Sequence, residues 1–325
     1  MTSDHRAPAI QPVAGHDPLA LAGRKVLARQ SIQLHRNLHG TLMGQDPEFL
    51  HDFRVATRRA RAALRLFGDV LGQRRADELR RELGWIADLL GEVRDLDVLE
   101  AKLPRQLDRA EVTPESRRRL AEWLDRRRRL AEGELADGLG SNRFERLLSR
   151  LDRLAGAPPP ARLDATAAMT VARAGPKLIQ QAWRRAAKAG RRARRDPKDE
   201  ALHRLRIRLK RVRYTVEFLS HGLPGDWRHY LKRLKQLQDL LGDLQDAVVA
   251  SNLLRDFLTW GTWGHKGIKR HEPLPTVPVV APGVAAYLTA RQVELQHLLD
   301  TFPEAWAQVR SPEFRQLVAA ALTSL

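Results

Sequence analysis

The chain has 325 residues, 43% of them apolar, enough for one large or two ordinary domains with a substantial core. It carries 57 Lys and Arg against 39 Asp and Glu, a formal net charge of +18, and 47 of those cations are arginine. The lack of cysteine excludes disulfides, zinc–thiolate sites and thiol nucleophiles. The charge points to a polyanionic partner: nucleic acid, an anionic membrane or a polyphosphorylated molecule.

Residues 1–18 are polar with three prolines and lack the apolar core of a signal peptide. They are expected to form a flexible tail. No apolar run approaches the roughly 20 residues needed to span a bilayer, so a soluble, cytoplasmic protein with no membrane partner is expected. From Leu19 onward the pattern is helical nearly throughout. Ala, Leu, Arg and Glu dominate, β-branched residues are sparse, and apolar positions recur every three or four residues. Two stretches interrupt it. GAPPPARLD at 156–164 reads as a linker, and the long Pro/Gly-rich segment 261–283 reads as a loop insertion.

The two sides of the linker resemble each other. HDFRVATRRARAALRLF at 51 aligns without gaps on HRLRIRLKRVRYTVEFL at 203, an offset of 152. Downstream, DLLGEVRDLDVL at 88 matches DLLGDLQDAVVA at 239, and SNRFERLL at 141 matches SPEFRQLV at 311. Matches in the same order indicate two copies of one helical unit. The expected fold is all-α: two four-helix bundles related by a pseudo-twofold axis, residues 19–157 and 158–325.

On a helical wheel His51, Arg54, Arg58, Arg61 and Arg65 share a stripe about 80° wide. Phe53, Ala56, Ala60, Ala63, Leu64 and Phe67 lie opposite, giving an apolar face for packing and a concentrated basic face away from it. The second copy repeats the stripe with His203, Arg206, Lys210 and Arg213, and its apolar side with Leu205, Val212, Val216 and Leu219. Glu217 stands where Arg65 does, so the second stripe is shorter. Like charges at i,i+4 destabilise an isolated helix by roughly 0.2–0.5 kcal/mol per pair. One such stripe reads as a solvated face; two matched stripes in a basic chain read as an anion site.

His51 and His203 each begin a stripe and add donors whose charge responds to pH near neutrality. His51 and Asp52 also spell the HD pair of metal phosphohydrolases, but Arg204 replaces Asp52 in the second copy. No metal site and no cofactor are expected. The second matched helix is acidic: Asp88, Gly91, Glu92 and Asp95 share a face, repeated by Asp239, Gly242, Asp243 and Asp246. These carboxylates are expected to pair with arginines of the neighbouring helix rather than hold a metal. The glycines are expected to mark close helix approach. Further cations, Lys177, Arg184, Arg185, Arg191, Arg192, Arg194 and Arg195, precede the second stripe.

The helices H-x-x-R-V-x-x-R-R-x-R-x-x-L-R-x-F at 51 and L-H-x-L-R-I-x-x-K-R-x-R-Y-x-x-E-F at 202 resemble the two signatures of the CHAD family, the conserved histidine α-helical domain. The LLGEVRDLDVL and LLGDLQDAV helices are similar to its next element. The resemblance implies a basic central cavity that binds inorganic polyphosphate, and association with polyphosphate granules. It carries over His51, Arg54, Arg58, Arg59 and Arg61, with His203, Arg206, Lys210, Arg211 and Arg213, as binding residues. Arg59 and Arg211 rest on the resemblance more than on the wheel, where they lie about 80° from their histidines. No ExExK of the CYTH triphosphate-tunnel domain is found, so a stand-alone CHAD protein is expected. The insertion, with Trp263, His265, Lys266, Lys269, Arg270 and His271, departs from the family pattern.

The expectation is therefore a non-enzymatic polyphosphate binder, with divalent cations as conceivable companions of the ligand. Affinity should fall with salt, and protonated histidines should strengthen it below about pH 6.5. Two rivals stand beside it. One is a nucleic-acid-binding protein gripping phosphates, with base stacking poorly supported because aromatics are 6% of the chain. The other is an enzyme, either a polyphosphate hydrolase or a histidine phosphotransferase using His51 or His203.

Overall fold

In a computed structural model of the protein, the described residues are 10–44, 46–109, 112–260 and 281–310, with 312, 313, 316, 319 and 320. Among them all regular structure is helical, apart from one isolated β-bridge. The first half contains α1 (Leu19–Met43), α2 (Pro47–Leu66), the short α3 (Gly68–Leu71), α4 (Gln73–Arg109), α5 (Pro114–Leu139) and α6 (Asn142–Gly156). The second contains the short α7 (Ala165–Ala168), α8 (Val171–Arg195), α9 (Asp199–Leu219), α10 (Arg228–Trp260) and α11 (Pro282–Val309). Five long helices thus stand in the first half, where about four were expected. The extra one arises because Gly140 ends α5 and Ser141 restarts the chain as α6, its side chain accepting from Phe144 N at 3.2 Å.

Local chemistry sets the ends of the stripe helices. Asp46 accepts from Glu48 N at 2.9 Å, with Pro47 at the first helical position of α2. The Pro-rich stretch 157–164 separates α6 from α7, as expected of the linker. Both ends of α8 lie 152 residues after those of α1, the offset of the aligned stripes. The β-bridge joins Pro18 to Thr170. Its two bonds, Leu19 N to Met169 O and Val171 N to Asp17 O, both 2.9 Å, are interchanged by the same offset.

The apolar faces read from the wheel are the core. Phe53, Ala56, Ala60, Ala63, Leu64 and Phe67 of the first half are buried, as are Leu205, Val212, Val216 and Leu219 of the second. Each large side chain among them contributes about 1.5–3 kcal/mol by leaving water. α2 lies between α1 and α4, and α9 between α8 and α10. The two also touch each other, so the stripe helices meet across the two halves. α11 crosses to the first half, where a Cβ on Gly283 would come within 2.5 Å of Val112 Cα.

Three expectations need correction. The flexible tail over 1–18 does not extend to its last residues, residues 1–9 lying outside the described set. Val13 and Asp17 are buried, and Asp17 pairs with Lys25 at 2.7 Å. A Cβ on Gly15 would lie 2.8 Å from Gly222 O, so this segment is packed between the halves. Of the expected insertion 261–283, residues 261–280 lie outside the described residues. Pro282 and Gly283 already belong to α11, because proline is well placed in a helix's first turn. Finally, Gly91 and Gly242 do not mark close helix contact. A Cβ at Gly91 would meet nothing within 4 Å, and one at Gly242 only Arg206 Nη2 at 3.9 Å.

Candidate polyanion site

The two stripes converge. A cavity of about 360 Å³ opens between α2, α4, α9, α10 and α11. Arg54 and Arg58 of α2 line it together with their counterparts Arg206 and Lys210 of α9. His203 is also at its wall, solvent-exposed, with Nδ1 donating to Gln245 Oε1 at 2.8 Å, which leaves Nε2 free for a ligand. α11 adds Arg291, and α4 and α10 add the matched carboxylates Asp95 and Asp246. Four basic side chains of α2 and α9, together with Arg291, which also pairs with Glu294, therefore share one space with two carboxylates.

Crowding of like charge in a partly desolvated space is visible in the ionisation of these groups. Burial pulls the Arg54 guanidinium below its ordinary value; Asp95 restores part of the loss, and Arg58, Arg206 and Arg94 deepen it. Arg206 behaves alike, lowered by burial and by Arg58 and supported by Asp246 and Asp95. Both remain charged at neutral pH, as arginine always is in proteins. Lys210 differs: burial first, then Arg206, Arg58, Arg54 and Arg213, push it down to about 7. Asp95 is raised, mainly by desolvation, with Asp246 adding to the rise while Arg54 and Arg206 oppose it. It is exposed at the residue level and lines the cavity. Arg206 Nε is buried with no hydrogen-bond partner among the described residues. An unpartnered buried donor calls for an acceptor, which a ligand can supply.

The remaining stripe residues go elsewhere. Residues 51–65 of α2 extend over roughly 21 Å at 1.5 Å per residue, and the crossing of α2 over α9 turns only part of that length to the cavity. His51 is half-buried and does not line it. Arg61 lies over Gly84 of α4, its Nη2 3.3 Å from where a Cβ would stand. Arg65 and Arg211 share a separate pocket of about 200 Å³ between α2, α8 and α9. Arg59 donates to Glu217 of α9, and Arg213 Nε reaches the same carboxylate at 3.2 Å.

Glu217, aligned with Arg65 at the offset of 152, thus has a structural role. It holds two guanidiniums, one from each half, where α2 and α9 cross. Tyr214 completes this joint: its hydroxyl accepts from Arg58 Nε. The guanidinium carbons of Arg58, Arg59 and Arg213 lie 5.9, 5.6 and 5.2 Å from its ring centre. The ring is 3% exposed, so it cannot serve as a stacking platform for a nucleobase. Glu217→Ala leaves both arginines without their shared partner. It is expected to lower stability by about 1–3 kcal/mol, read as a fall in the urea midpoint; an unchanged midpoint would contradict this assignment.

Of the acidic faces, only Asp95 and Asp246 reach the cavity, where they act on Arg54 and Arg206 through space. No group of three or more His, Cys, Asp or Glu is placed to hold a metal among the described residues. Sequence reasoning missed Arg291, Tyr287, Gln245 and Tyr214. Arg291 had one local signal, a lone charge in the otherwise uncharged run AAYLTARQV.

Residues 25–255 match the CHAD domain family profile. The chain belongs to the CHAD family. Its fold is similar to the crystal structure of the CHAD domain from the plant Ricinus communis. That similarity has 26% identity and a TM-score of 0.63, covering 97% of this chain and 95% of that one. PptA from Streptomyces chartreusis shares the fold at 21% identity and a TM-score of 0.67, over 90% of this chain and 99% of that one. The uncharacterised protein Rv2226 of Mycobacterium tuberculosis is 32% identical over 221 residues, 66% of this chain and 42% of that protein. This CHAD chain therefore spans less than half the length of the curated relatives it matches. No helix among the described residues is long and apolar enough to cross a membrane.

Proposed function

We propose that this CHAD protein binds inorganic polyphosphate in the cavity between α2 and α9, without turning it over. The two halves, residues 19–157 and 158–325, are read as copies of one unit, each supplying one wall. The observation that carries this reading is the convergence of Arg54 and Arg58 with Arg206 and Lys210 on one space. Arginine forks grip phosphate oxygens through two hydrogen bonds. A linear phosphate chain presents such oxygens repeatedly, with no bases to accommodate. The buried Arg206 Nε and the depressed Lys210 both gain from an anion placed between them. The binding residues are taken to be Arg54, Arg58, His203, Arg206 and Lys210, with Arg291 added. In cells such a protein would reside in the cytoplasm at polyphosphate granules.

A competition experiment tests the ligand class. Long-chain polyphosphate should displace duplex DNA from the protein at equal phosphate concentration, and DNA should not displace polyphosphate. The reverse order would assign the cavity to nucleic acid. Phosphate release from polyphosphate, or an acid-labile phosphohistidine on His51 or His203, would make the protein an enzyme instead.

A further inference from the structure

Lys210 of α9 is the sole primary amine among the described residues that line the cavity. Its counterpart in the first half, 152 residues earlier, is Arg58, and 47 of the 57 basic residues of the chain are arginine. An arginine at this place would serve an anion through its two-pronged fork. A lysine brings what arginine lacks: a nitrogen lone pair once the proton is gone. Lys210 is half-buried, and among the described residues its amine has no hydrogen-bond or ion-pair partner. Lys25, by contrast, is tied to Asp17 at 2.7 Å and Lys198 to Asp196 at 3.0 Å.

Every element around the cavity bears on this amine. Burial, then Arg206 of α9, Arg58 and Arg54 of α2, and Arg213 of α9 oppose its proton, so Lys210 falls to about 7. Asp95 of α4 and Asp246 of α10 line the same space but act on Arg54 and Arg206. His203 of α9 and Arg291 of α11 complete the titratable wall. Desolvation and neighbouring cations are the two devices that turn a lysine into a nucleophile near neutral pH.

The cavity also has an apolar side. Val98 and Leu99 of α4 line it, with Val249, Ala250 and Leu253 of α10. A linear polyphosphate makes no use of such a wall. An acyl phosphate uses both sides, its phosphate on the arginine forks and its acyl group against the aliphatic side chains. The carbonyl carbon of such a molecule is bonded directly to a phosphate oxygen. Seating the phosphate on Arg54, Arg58 and Arg206 therefore brings the carbonyl to the amine, which stands one helical turn from Arg206.

We infer that Lys210 is an acylation site, modified by acyl phosphates whose phosphate the cavity arginines hold. This inference rests on the reading of the cavity as a phosphate site. The amine nitrogen attacks the carbonyl carbon and a C–N bond forms. The C–O bond to the phosphate breaks, phosphate departs with the electron pair, and the proton shed by the amine goes to it. Nothing is oxidised or reduced. The resulting amide carries no charge, so each modified molecule loses a phosphate-binding cation. Acylation thereby sets how much of the protein can hold polyphosphate.

The test incubates the full chain with acetyl phosphate near neutral pH and locates acetylated lysines by peptide mass spectrometry. Lys210 should react at least about tenfold faster than the exposed Lys188 and Lys232. Tripolyphosphate should protect Lys210 and not Lys188. N-Acetoxysuccinimide, which carries no phosphate, should show a preference for Lys210 smaller by about tenfold. Acetylated protein should bind tripolyphosphate about tenfold or more weakly by calorimetry. In the Lys210→Arg variant, treatment with acetyl phosphate should leave that affinity unchanged. Acetylation of Lys210 no faster than that of Lys188, or the same preference from both reagents, would overturn the inference. Calorimetric binding of tripolyphosphate by untreated protein would still support the cavity reading in that case. If untreated protein binds no tripolyphosphate, the cavity reading fails and this inference falls with it.

Discussion

Replacing Arg54 and Arg206 together by alanine is expected to lower polyphosphate affinity by about 10²- to 10⁴-fold, the largest effect of any pair in the molecule. Each charge-assisted hydrogen bond contributes about 1.5–3 kcal/mol, and two of them convert to that range. The loss goes beyond two missing donors. Asp95 and Asp246 stand opposite these arginines across the cavity. Without Arg54 and Arg206 their repulsion of an anion loses its nearest counterweight. Adding Asp95→Asn and Asp246→Asn to the double variant should therefore recover part of the affinity, although no donor is restored. Helicity by circular dichroism should be unchanged in all variants, because alanine favours helix at these positions. Isothermal titration with tripolyphosphate reads the effect. Affinity within about threefold of the wild type would show that the cavity is not the site.

Proton uptake should accompany binding, and Lys210 should be the group that takes the proton. The expectation from sequence assigned pH sensitivity to the histidines alone. Burial and four neighbouring cations place Lys210 at about 7, well below the ordinary lysine value of 10.5. In the free protein at pH 8 most of it is neutral. Phosphate oxygens beside it favour the ammonium and raise its value again, so binding draws a proton from solution. Affinity should be greatest below about pH 7 and fall above it, by up to about tenfold per pH unit, until the value in the complex is reached. Calorimetry in buffers of different ionisation enthalpy should show uptake approaching one proton at pH 8 and much less at pH 6. Lys210→Met should remove the excess at pH 8 and leave any histidine contribution at lower pH.

The same lysine bears on stability. Between about pH 7 and 10.5 the unfolded chain holds this proton and the folded chain does not, so stability rises with pH across that window. Below about pH 7 the whole cost of the buried ammonium is borne by the fold. Lys210→Met should therefore raise Tm at pH 6 by several degrees, given roughly 2–4 °C per kcal/mol for a domain of this class. It should change Tm least at the alkaline end. A variant that melts at or below the wild-type Tm at pH 6 would contradict the burial of a strained cation.

Much of this was readable before any coordinates. The alternation that puts Phe53 and Ala60 opposite Arg54 and Arg58 follows from helix geometry alone, and those faces become core and cavity wall. The replacement of Arg65 by Glu217 was visible as a break in the second stripe, but its partner Arg59 was not. Periodicity within a helix carries no information about the angle at which two helices cross. For the same reason the wheel could not say that His51 and Arg65 leave the cavity while Arg54 stays. Arg291 and Tyr287 come from α11, whose stretch around them has no counterpart in the aligned repeats, so repetition could not flag them and Arg291 had only its isolated charge as a signal. Gly91 and Gly242 misled because helical glycine usually signals contact; here they leave space, at Gly242 in front of the Arg206 guanidinium. The packing of Val13 and Asp17 escaped notice because a polar, proline-rich segment reads locally as a tail. What fixes it is a lysine on α1 and a bridge to a residue 152 positions away.

A crystal structure of the full chain grown with long-chain polyphosphate tests the central claim most directly. Tetrahedral density should lie between Arg54 and Arg58 on one wall and Arg206 and Lys210 on the other, within hydrogen-bond distance of Arg206 Nε. Phosphate density found solely on outer faces, with the space between the two stripes filled by ordered water, would contradict it.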